Sequence, residues 1–159
     1  MSVVSVEKDY ESLTLRLVAE FDAPIERVWQ LWADPRKLER WWGPPSYPAT
    51  VETHDLAPGG EVTYFMTGPA GERSHGWWRI HSAAPPRSLA FTDGSADRQL
   101  PTTDIRVRLS EHEGGTRMEV HATFGSREQM EQLEGLGAFE TFREALGQMD
   151  DVLDDDQEV

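Results

Sequence analysis

Two short helices rich in tryptophan, predicted within residues 21–44, constrain this chain more than any other feature of its sequence. Pro24 suits a first helical turn, because a proline loses no hydrogen bond there. Asp34 and Pro35 predict the cap and first residue of a second helix, which must end at Gly43. Four of the six tryptophans lie in this stretch. Since helices this short are not stable alone, the concentration of large rings predicts a fixed packing site against the rest of the chain.

Length and charge limit the classes of protein to which the chain can belong. Its 159 residues suit one domain with a substantial core, which we expect to cover residues 1–153. The formal charge of −14 argues against binding to nucleic acid or to anionic membrane surfaces, because both require basic patches. Six acidic residues crowd into the last ten positions. They predict a solvated, disordered acidic tail over residues 154–159.

The sequence shows no apolar run long enough to span a bilayer, and residues 1–9 lack the features of a signal peptide. We therefore expect a cytoplasmic protein. The chain contains no cysteine, which excludes disulfides, thiol nucleophiles and thiolate metal ligands. Its five histidines are dispersed, and no pair has the close spacing of a metal site. We expect neither a metal nor another cofactor.

Alternating apolar and polar residues predict about seven antiparallel strands, separated by glycine and proline turns. The pattern places Trp78 and Ile80 on one face of their strand, and Ile105, Val107 and Leu109 on one face of a later strand. The opposite face is polar, so the sheet is predicted to have one buried and one solvated face. The predicted strands cover residues 12–21, 47–56, 61–67, 73–83, 88–93, 103–111 and 116–125.

A long amphipathic helix is predicted to close the chain. It begins with a capping box at Ser126, followed by apolar residues that recur every three or four positions up to Leu153. Three glycines interrupt this pattern: Gly135, Gly137 and Gly147. They either permit close packing or a bend, or they leave room for a ligand. The simplest burial scheme is an α+β fold, in which a curved antiparallel sheet wraps around the long C-terminal helix and the short helices close one end.

Several motifs occur in the order and spacing of a known family. They are the stretch 21–44, which begins Phe-Asp-Ala-Pro and ends Trp-Trp-Gly-Pro, then Gly59-Gly60, Gly76-x-Trp78, Pro86-x-x-Leu89-x-Phe91-Thr92 and Gly115-Thr116. They are similar to bacterial relatives of the activator of the heat-shock-protein-90 ATPase. That family belongs to the START-like superfamily, also called SRPBCC or polyketide cyclase. The resemblance spans roughly residues 12–153. It implies the helix-grip (START/Bet v 1-like) fold, with two short helices after the first strand and a cavity between the sheet and the long helix.

This chain departs from the family pattern at Ile80, where relatives often carry an acidic residue. The cavity is therefore expected to be more apolar than in those relatives. Our first hypothesis is that it binds a small apolar or aromatic molecule, because small-molecule pockets are mostly apolar with a few polar groups. The predicted cavity residues are Leu17, Trp29, Tyr64, Met66, Trp78, Ile80, Phe91, Asp93, Val107, Met118, Leu133, Leu136, Phe139, Glu140 and Phe142.

Two other functions are compatible with the sequence. The first is an enzyme of the cyclase or hydrolase kind that uses Glu140, Asp93 or Asp104, since a carboxyl group in an apolar cavity has a raised pKa and can act as a general acid. The second is an interaction domain that either binds a chaperone or forms a homodimer through an exposed strand edge. Members of this superfamily have varied functions, so the fold alone does not decide between these hypotheses.

Overall fold

The computed structural model describes residues 3–97 and 101–157. Within these ranges the chain forms one antiparallel sheet of eight strands, in the order β1-β2-β8-β7-β6-β5-β4-β3. The strands are β1 (Val3–Asp9), β2 (Thr14–Phe21), β3 (Ala49–His54), β4 (Glu61–Thr67), β5 (Arg73–Ala84), β6 (Ser88–Ser95), β7 (Thr103–His112) and β8 (Gly115–Thr123).

Five helices accompany the sheet in the described residues: α1 (Ile25–Ala33), α2 (Pro35–Trp41), α3 (Arg127–Gly135), α4 (Ala138–Gly147) and α5 (Met149–Gln157). The α+β class, the antiparallel sheet and the helix-grip arrangement predicted from the sequence are confirmed. No helix in this part of the chain has the length and apolar character needed to cross a bilayer.

The strand that the sequence did not predict is β1, which pairs with β2 at one edge of the sheet. The Asp9 side chain accepts hydrogen bonds from the backbone N–H groups of Glu11 and Ser12, at 2.9 and 3.2 Å. These bonds form the tight turn between the two strands. The strand count is therefore eight instead of about seven, because this hairpin begins before the first pattern that the sequence analysis recognised.

The two tryptophan-rich helices form as predicted. Asp34 caps α2 by accepting a hydrogen bond from the Arg36 backbone N–H at 2.9 Å, and Pro35 is its first residue. The Trp41 indole N–H donates to the Leu31 carbonyl at 2.8 Å, which joins α2 to α1. The Trp32 and Trp41 rings meet edge to face with their centroids 4.6 Å apart. Both rings are fully buried, as the packing argument required.

The C-terminal helix is not continuous, which corrects the sequence prediction. Gly137 has a φ of +79°, a left-handed conformation that ends α3 and provides the N-cap of α4. Leu136 consequently leaves the apolar stripe and is 76% exposed. A second break occurs at Gln148, whose side-chain amide donates to the Gly43 carbonyl at 2.7 Å. The sequence left open whether these glycines allow close packing or a bend, or leave room for a ligand. At Gly137 the structure shows a bend.

The predicted disordered tail is also corrected, because the boundary placed at residue 154 falls inside α5. This helix continues to Gln157. Val152 and Leu153 are buried, and Asp155 forms an ion pair with Arg40 of α2. Arg27 of α1 donates to the Leu153 carbonyl at 2.6 Å. Residues 158–159 of the predicted tail lie outside the described residues.

The short helices occupy one half of the concave face of the sheet. Helix α1 packs across β7 and β8, and α5 in turn packs on α1 and α2. The other half of the concave face is covered by the segment Trp42–Pro44 and by α3 and α4, whose residues line a pocket there. The large rings of α1 and α2 are buried where these helices pack.

The glycines at the break between α3 and α4 allow a matched test of this geometry. Gly137→Ala should destabilise the protein by about 1 kcal/mol, because an L side chain is strained at positive φ. Gly135→Ala should be neutral or stabilise by about 0.5 kcal/mol, because a methyl group there meets open space and alanine favours helix. Urea unfolding of both variants measures the difference. Equal effects from the two substitutions would contradict a left-handed turn at residue 137.

Candidate functional site

The candidate site is a pocket of about 340 Å³ between the sheet and α4. Leu15 of β2, Ala122 of β8 and Ile105 of β7 form its floor, because they are direct neighbours across the three strands. Its other walls are mostly apolar and come from α4, from Leu133 of α3, and from the chain after α2. The lining residues are Leu15, Trp42, Pro44, Tyr64, Met66, Asp93, Thr103, Ile105, Ala122, Phe124, Leu133, Ala138, Phe139, Thr141, Phe142 and Ala145.

Trp42 connects the pocket wall to the core. Its ring meets Trp78 edge to face at a centroid separation of 4.8 Å, Tyr64 at 5.9 Å and Phe142 of α4 at 6.0 Å. Trp78 in turn stacks on Phe91 with centroids 4.0 Å apart. Such contacts stabilise the packing beyond the area that they bury. The position of the pocket wall is therefore fixed by rings from helix, strand and loop together.

The pocket contains one pair of polar groups in direct contact. The Tyr64 hydroxyl of β4 donates a hydrogen bond to Asp93 Oδ1 of β6 at 2.8 Å. These strands are separated by β5, where Gly76 lies opposite Tyr64 in the pairing register. A methyl group at Gly76 would overlap the Tyr64 ring and hydroxyl. The absence of a side chain at this glycine therefore lets the tyrosine lie across β5 and reach the aspartate.

The surroundings of Asp93 change its acidity. Burial raises the pKa of this carboxyl to about 7, although the hydrogen bond from Tyr64 and the polarity of the nearby Trp78 indole N–H both act in the opposite direction. Burial also raises the pKa of the Tyr64 hydroxyl well above its usual value, and the Asp93 charge adds to this effect. Tyr64 therefore stays protonated and remains the donor. Asp93 keeps part of its surface accessible because it lines the pocket.

The indole N–H groups of Trp42 and Trp78 lie near these oxygens without making a hydrogen bond of ordinary geometry within the described residues. Trp78 favours the charged form of Asp93, and Trp42 favours that of Tyr64. Buried donors without a partner are uncommon in folded proteins. One wall of the pocket thus combines a carboxyl, a phenol and an incompletely satisfied indole N–H.

The structure brings only some of the predicted cavity residues to the pocket. Those that line it are Tyr64, Met66, Asp93, Leu133, Phe139 and Phe142. Others are buried in the core and do not line the pocket: Leu17, Trp29, Trp78, Ile80, Phe91, Val107 and Met118. Leu136 and Glu140 are exposed and contribute nothing to the lining, which corrects their placement. The reason is the turn at Gly137, which changes the direction of the helix face in the middle of the predicted stripe.

Two pocket residues that were not predicted lie on the same strand faces as two that were. Leu15 is one alternate position along β2 from Leu17, and Ala122 is two alternate positions along β8 from Met118. The alternation of side chains identified the correct face, but it did not show which end of the strand α1 and α2 leave uncovered. Trp42 and Pro44 follow the end of α2, where glycine and proline indicated only a helix stop.

The other carboxyls considered for chemistry do not reach the pocket. Asp104 lies on the outer face of the sheet, where it accepts a hydrogen bond from the Thr92 hydroxyl at 2.7 Å. Glu140 is on the exposed side of α4. Asp93 is therefore the one predicted carboxyl that the structure places in the pocket wall. No group of three potential metal-binding side chains occurs in the described ranges.

A larger groove, of about 850 Å³, lies on the outer face of the sheet. Its wall is charged and includes Arg106, Arg108 and His121, with Glu119 beside them. Glu119 already forms an ion pair with Arg16 on β2. This is the composition of a solvated sheet face, and volume alone does not make it a site.

The fold is that of a helix-grip protein of the START-like type. A family model, Activator of Hsp90 ATPase homolog 1-like protein, matches residues 22–154. The chain belongs to this family, as the resemblance in its motifs implied. The matched region includes both tryptophan-rich helices and every residue that lines the pocket except Leu15. A comparison with curated proteins found no match.

Solved structures of similar proteins share the whole fold. A crystal structure of a protein from Mycobacterium smegmatis is 46% identical, with 97% of this chain and 99% of that chain covered and a TM-score of 0.88. A solution structure of a protein from Arthrobacter aurescens is 48% identical, covers 97% and 93% of the two chains and has a TM-score of 0.92. A Rhodobacter sphaeroides protein, 21% identical over 96% of this chain and 98% of its own, has a TM-score of 0.85 and shows likeness of fold alone.

Asp93→Asn should reveal the cost of placing this carboxyl in the pocket. The folded pKa of about 7 lies above the ordinary value of 3.8, so the folded wild type binds the proton more tightly than the unfolded chain does. Wild-type stability therefore falls, relative to the variant, as the pH rises from about 4 to about 7. We expect the difference in free energy of unfolding, variant minus wild type, to increase by on the order of 2 to 4 kcal/mol between these pH values and to stay constant above about pH 7.

Urea unfolding at a series of pH values measures this difference. Asp104→Asn, which removes a carboxyl from the exposed outer face, is the control for the loss of one negative charge. An Asp93→Asn difference that does not change across the pH range would contradict a desolvated carboxyl in the pocket.

Proposed function

We propose that this protein binds a small apolar or aromatic molecule in the pocket between the sheet and α4. The observation that carries the proposal is the pocket itself, whose volume of about 340 Å³ and mostly apolar lining are typical of small-molecule sites. Membership in the Activator of Hsp90 ATPase homolog 1-like family and the START-like fold support ligand binding in general.

The packing of the pocket favours a binding site over a simple defect in the core. The core beneath α1 and α2 is filled by large rings, including the fully buried Trp32, Trp41 and Trp78. A chain that fills one half of its concave face so completely has the side chains to fill the other half. Instead, small residues occupy the pocket's side of the helix and sheet: Ala122, Ala138 and Ala145. Their size maintains a space that costs packing energy when it is empty.

The Asp93 carboxyl gives this pocket a fixed polar contact for a ligand. Tyr64 orients one carboxyl oxygen, and its own ring packs edge to face with Trp42. A few positioned polar groups in an apolar pocket determine the orientation of what binds there. The cyclase or hydrolase alternative would need further groups around this carboxyl, and apart from Tyr64 the other lining residues that the structure describes are apolar side chains and threonines.

The proposal is tested by measuring the binding of a neutral apolar fluorophore, N-phenyl-naphthylamine, to the full chain and to two variants of α4. Thr141 and Glu144 are both exposed on this helix, but only Thr141 lines the pocket. Thr141→Trp should weaken binding by about tenfold or more, because the new ring occupies the ligand space. Glu144→Trp, the matched control, should leave the affinity within about twofold of wild type.

Failure of the wild type to bind the fluorophore would contradict the proposal, and equal affinity of the two variants would contradict its location. Native mass spectrometry of protein purified gently from cells adds a direct readout. A retained small molecule, released on denaturation, is expected. The same spectrum tests the homodimer and chaperone hypotheses, which stay predictions together with the cytoplasmic location.

A further inference from the structure

We infer that the ligand of this pocket carries a protonated amine, which Asp93 binds at the end of an otherwise apolar aliphatic or aromatic body. The inference rests on the proposed function and specifies its ligand. It follows from three features of the lining: the set of ionisable groups in it, the hydrogen bonds of Asp93 and the rings around that carboxyl.

The first feature is the sign of the charge that the pocket can accept. Among the lining residues that the structure describes, Asp93 and Tyr64 are the ionisable side chains, and none is lysine, arginine or histidine. An anionic ligand, such as a fatty acid, would meet a carboxyl in an apolar site with no cation among these residues to compensate. Burying an unpaired charge is costly. The pocket therefore selects against carboxylates and phosphates and favours neutral or cationic molecules.

The second feature is the unequal use of the two Asp93 oxygens. Oδ1 accepts the hydrogen bond from Tyr64. Within the described residues, the bond from Tyr64 is the one hydrogen bond of ordinary geometry to this carboxyl, and the nearby Trp78 indole N–H completes none. A protonated amine carries three donors and can bond to the oxygen that Tyr64 does not use. Charge-assisted bonds of this kind are stronger than neutral ones, so the amine is favoured over an alcohol of the same shape.

The third feature is the aromatic wall beside the carboxyl. Trp42 and Tyr64 meet edge to face, and Phe142 of α4 also packs edge to face with Trp42. Ring faces attract cations, most strongly when water is excluded. A carboxyl combined with such rings is therefore suited to an ammonium group. The chain's net charge of −14 also favours the approach of cations over anions.

The titratable groups around Asp93 define the expected pH dependence. Tyr64 of β4 faces it directly. Strands β5 and β7 place Trp78 and Thr103 opposite Asp93, and α4 contributes apolar residues and Thr141, none of which titrates. Amine binding should thus follow the ionisation of Asp93 alone, whose pKa is about 7. Affinity for the amine should rise as the pH increases through this value, because the ligand binds the ionised carboxyl, while affinity for a neutral analogue should not rise.

Three probes with one apolar body test the inference: phenylbutylamine, phenylbutanol and phenylbutanoic acid. Calorimetric titration of the full chain at about pH 8 should give an affinity for the amine at least about tenfold above that for the alcohol, with the acid weakest. At about pH 6, where Asp93 is mostly protonated, the advantage of the amine should shrink severalfold.

Asp93→Asn and Gly76→Ala extend the test within the pocket. Asp93→Asn should abolish the preference for the amine and leave the affinity for the alcohol within about threefold of wild type. Gly76→Ala displaces Tyr64 from Asp93 and leaves the carboxyl in place, so it should retain a preference for the amine. Should either variant fail to fold, the comparison of the three probes on wild type still decides the inference.

The outcomes separate this inference from the proposed function. Binding of neither the alcohol nor the amine would overturn both. Equal affinities of the amine and the alcohol for wild type, or tighter binding of the acid, would overturn the amine inference and leave a pocket that binds apolar molecules. A preference for the amine that survives Asp93→Asn would also overturn it, because the selectivity would then arise elsewhere.

Discussion

The packing of Trp42 against rings from three other parts of the chain is the contact on which the rest of this structure depends. Trp42 directly follows the last residue of α2. Its ring packs on Trp78 of β5 and Tyr64 of β4, and it also contacts Phe142 of α4. Gln148 reinforces this junction, because its amide donates to the Gly43 carbonyl beside Trp42. One residue thereby sets the distance between the sheet and α4, and this distance determines whether a pocket exists.

Much of the fold was predictable because its signals are local. Asp34 and Pro35 mark a helix start wherever they occur before an apolar pattern, and the alternation through Ile105, Val107 and Leu109 identifies a strand with one buried face. The breaks in the C-terminal helix were harder to predict. Three glycines were visible there, but only Gly137 adopts a left-handed conformation, and this choice depends on where α3 and α4 meet the sheet.

The site was predicted less completely than the fold, and Asp93 shows why. Its place beside the loop between two strands, at the end of a cavity, made it a candidate, and the structure puts it in the pocket wall. Its partner Tyr64 comes from two strands away, through the space left at Gly76. Periodicity in one strand carries no information about such a contact across an intervening strand. Leu17 and Val107 illustrate the opposite error, since both are buried but neither lines the pocket.

The pairing of β2 with β8 has a consequence for how the protein becomes functional. Leu15 and Ala122 are neighbours in the pocket floor although about a hundred residues separate them, and the wall opposite is formed by α4. Closing so long a loop is slow compared with forming local hairpins. During synthesis, β3 to β7 can pair with one another as they emerge, but the pocket has no floor until β8 joins β2 and no wall until α4 follows. Ligand binding is therefore a property of the finished chain, acquired in the last steps of folding.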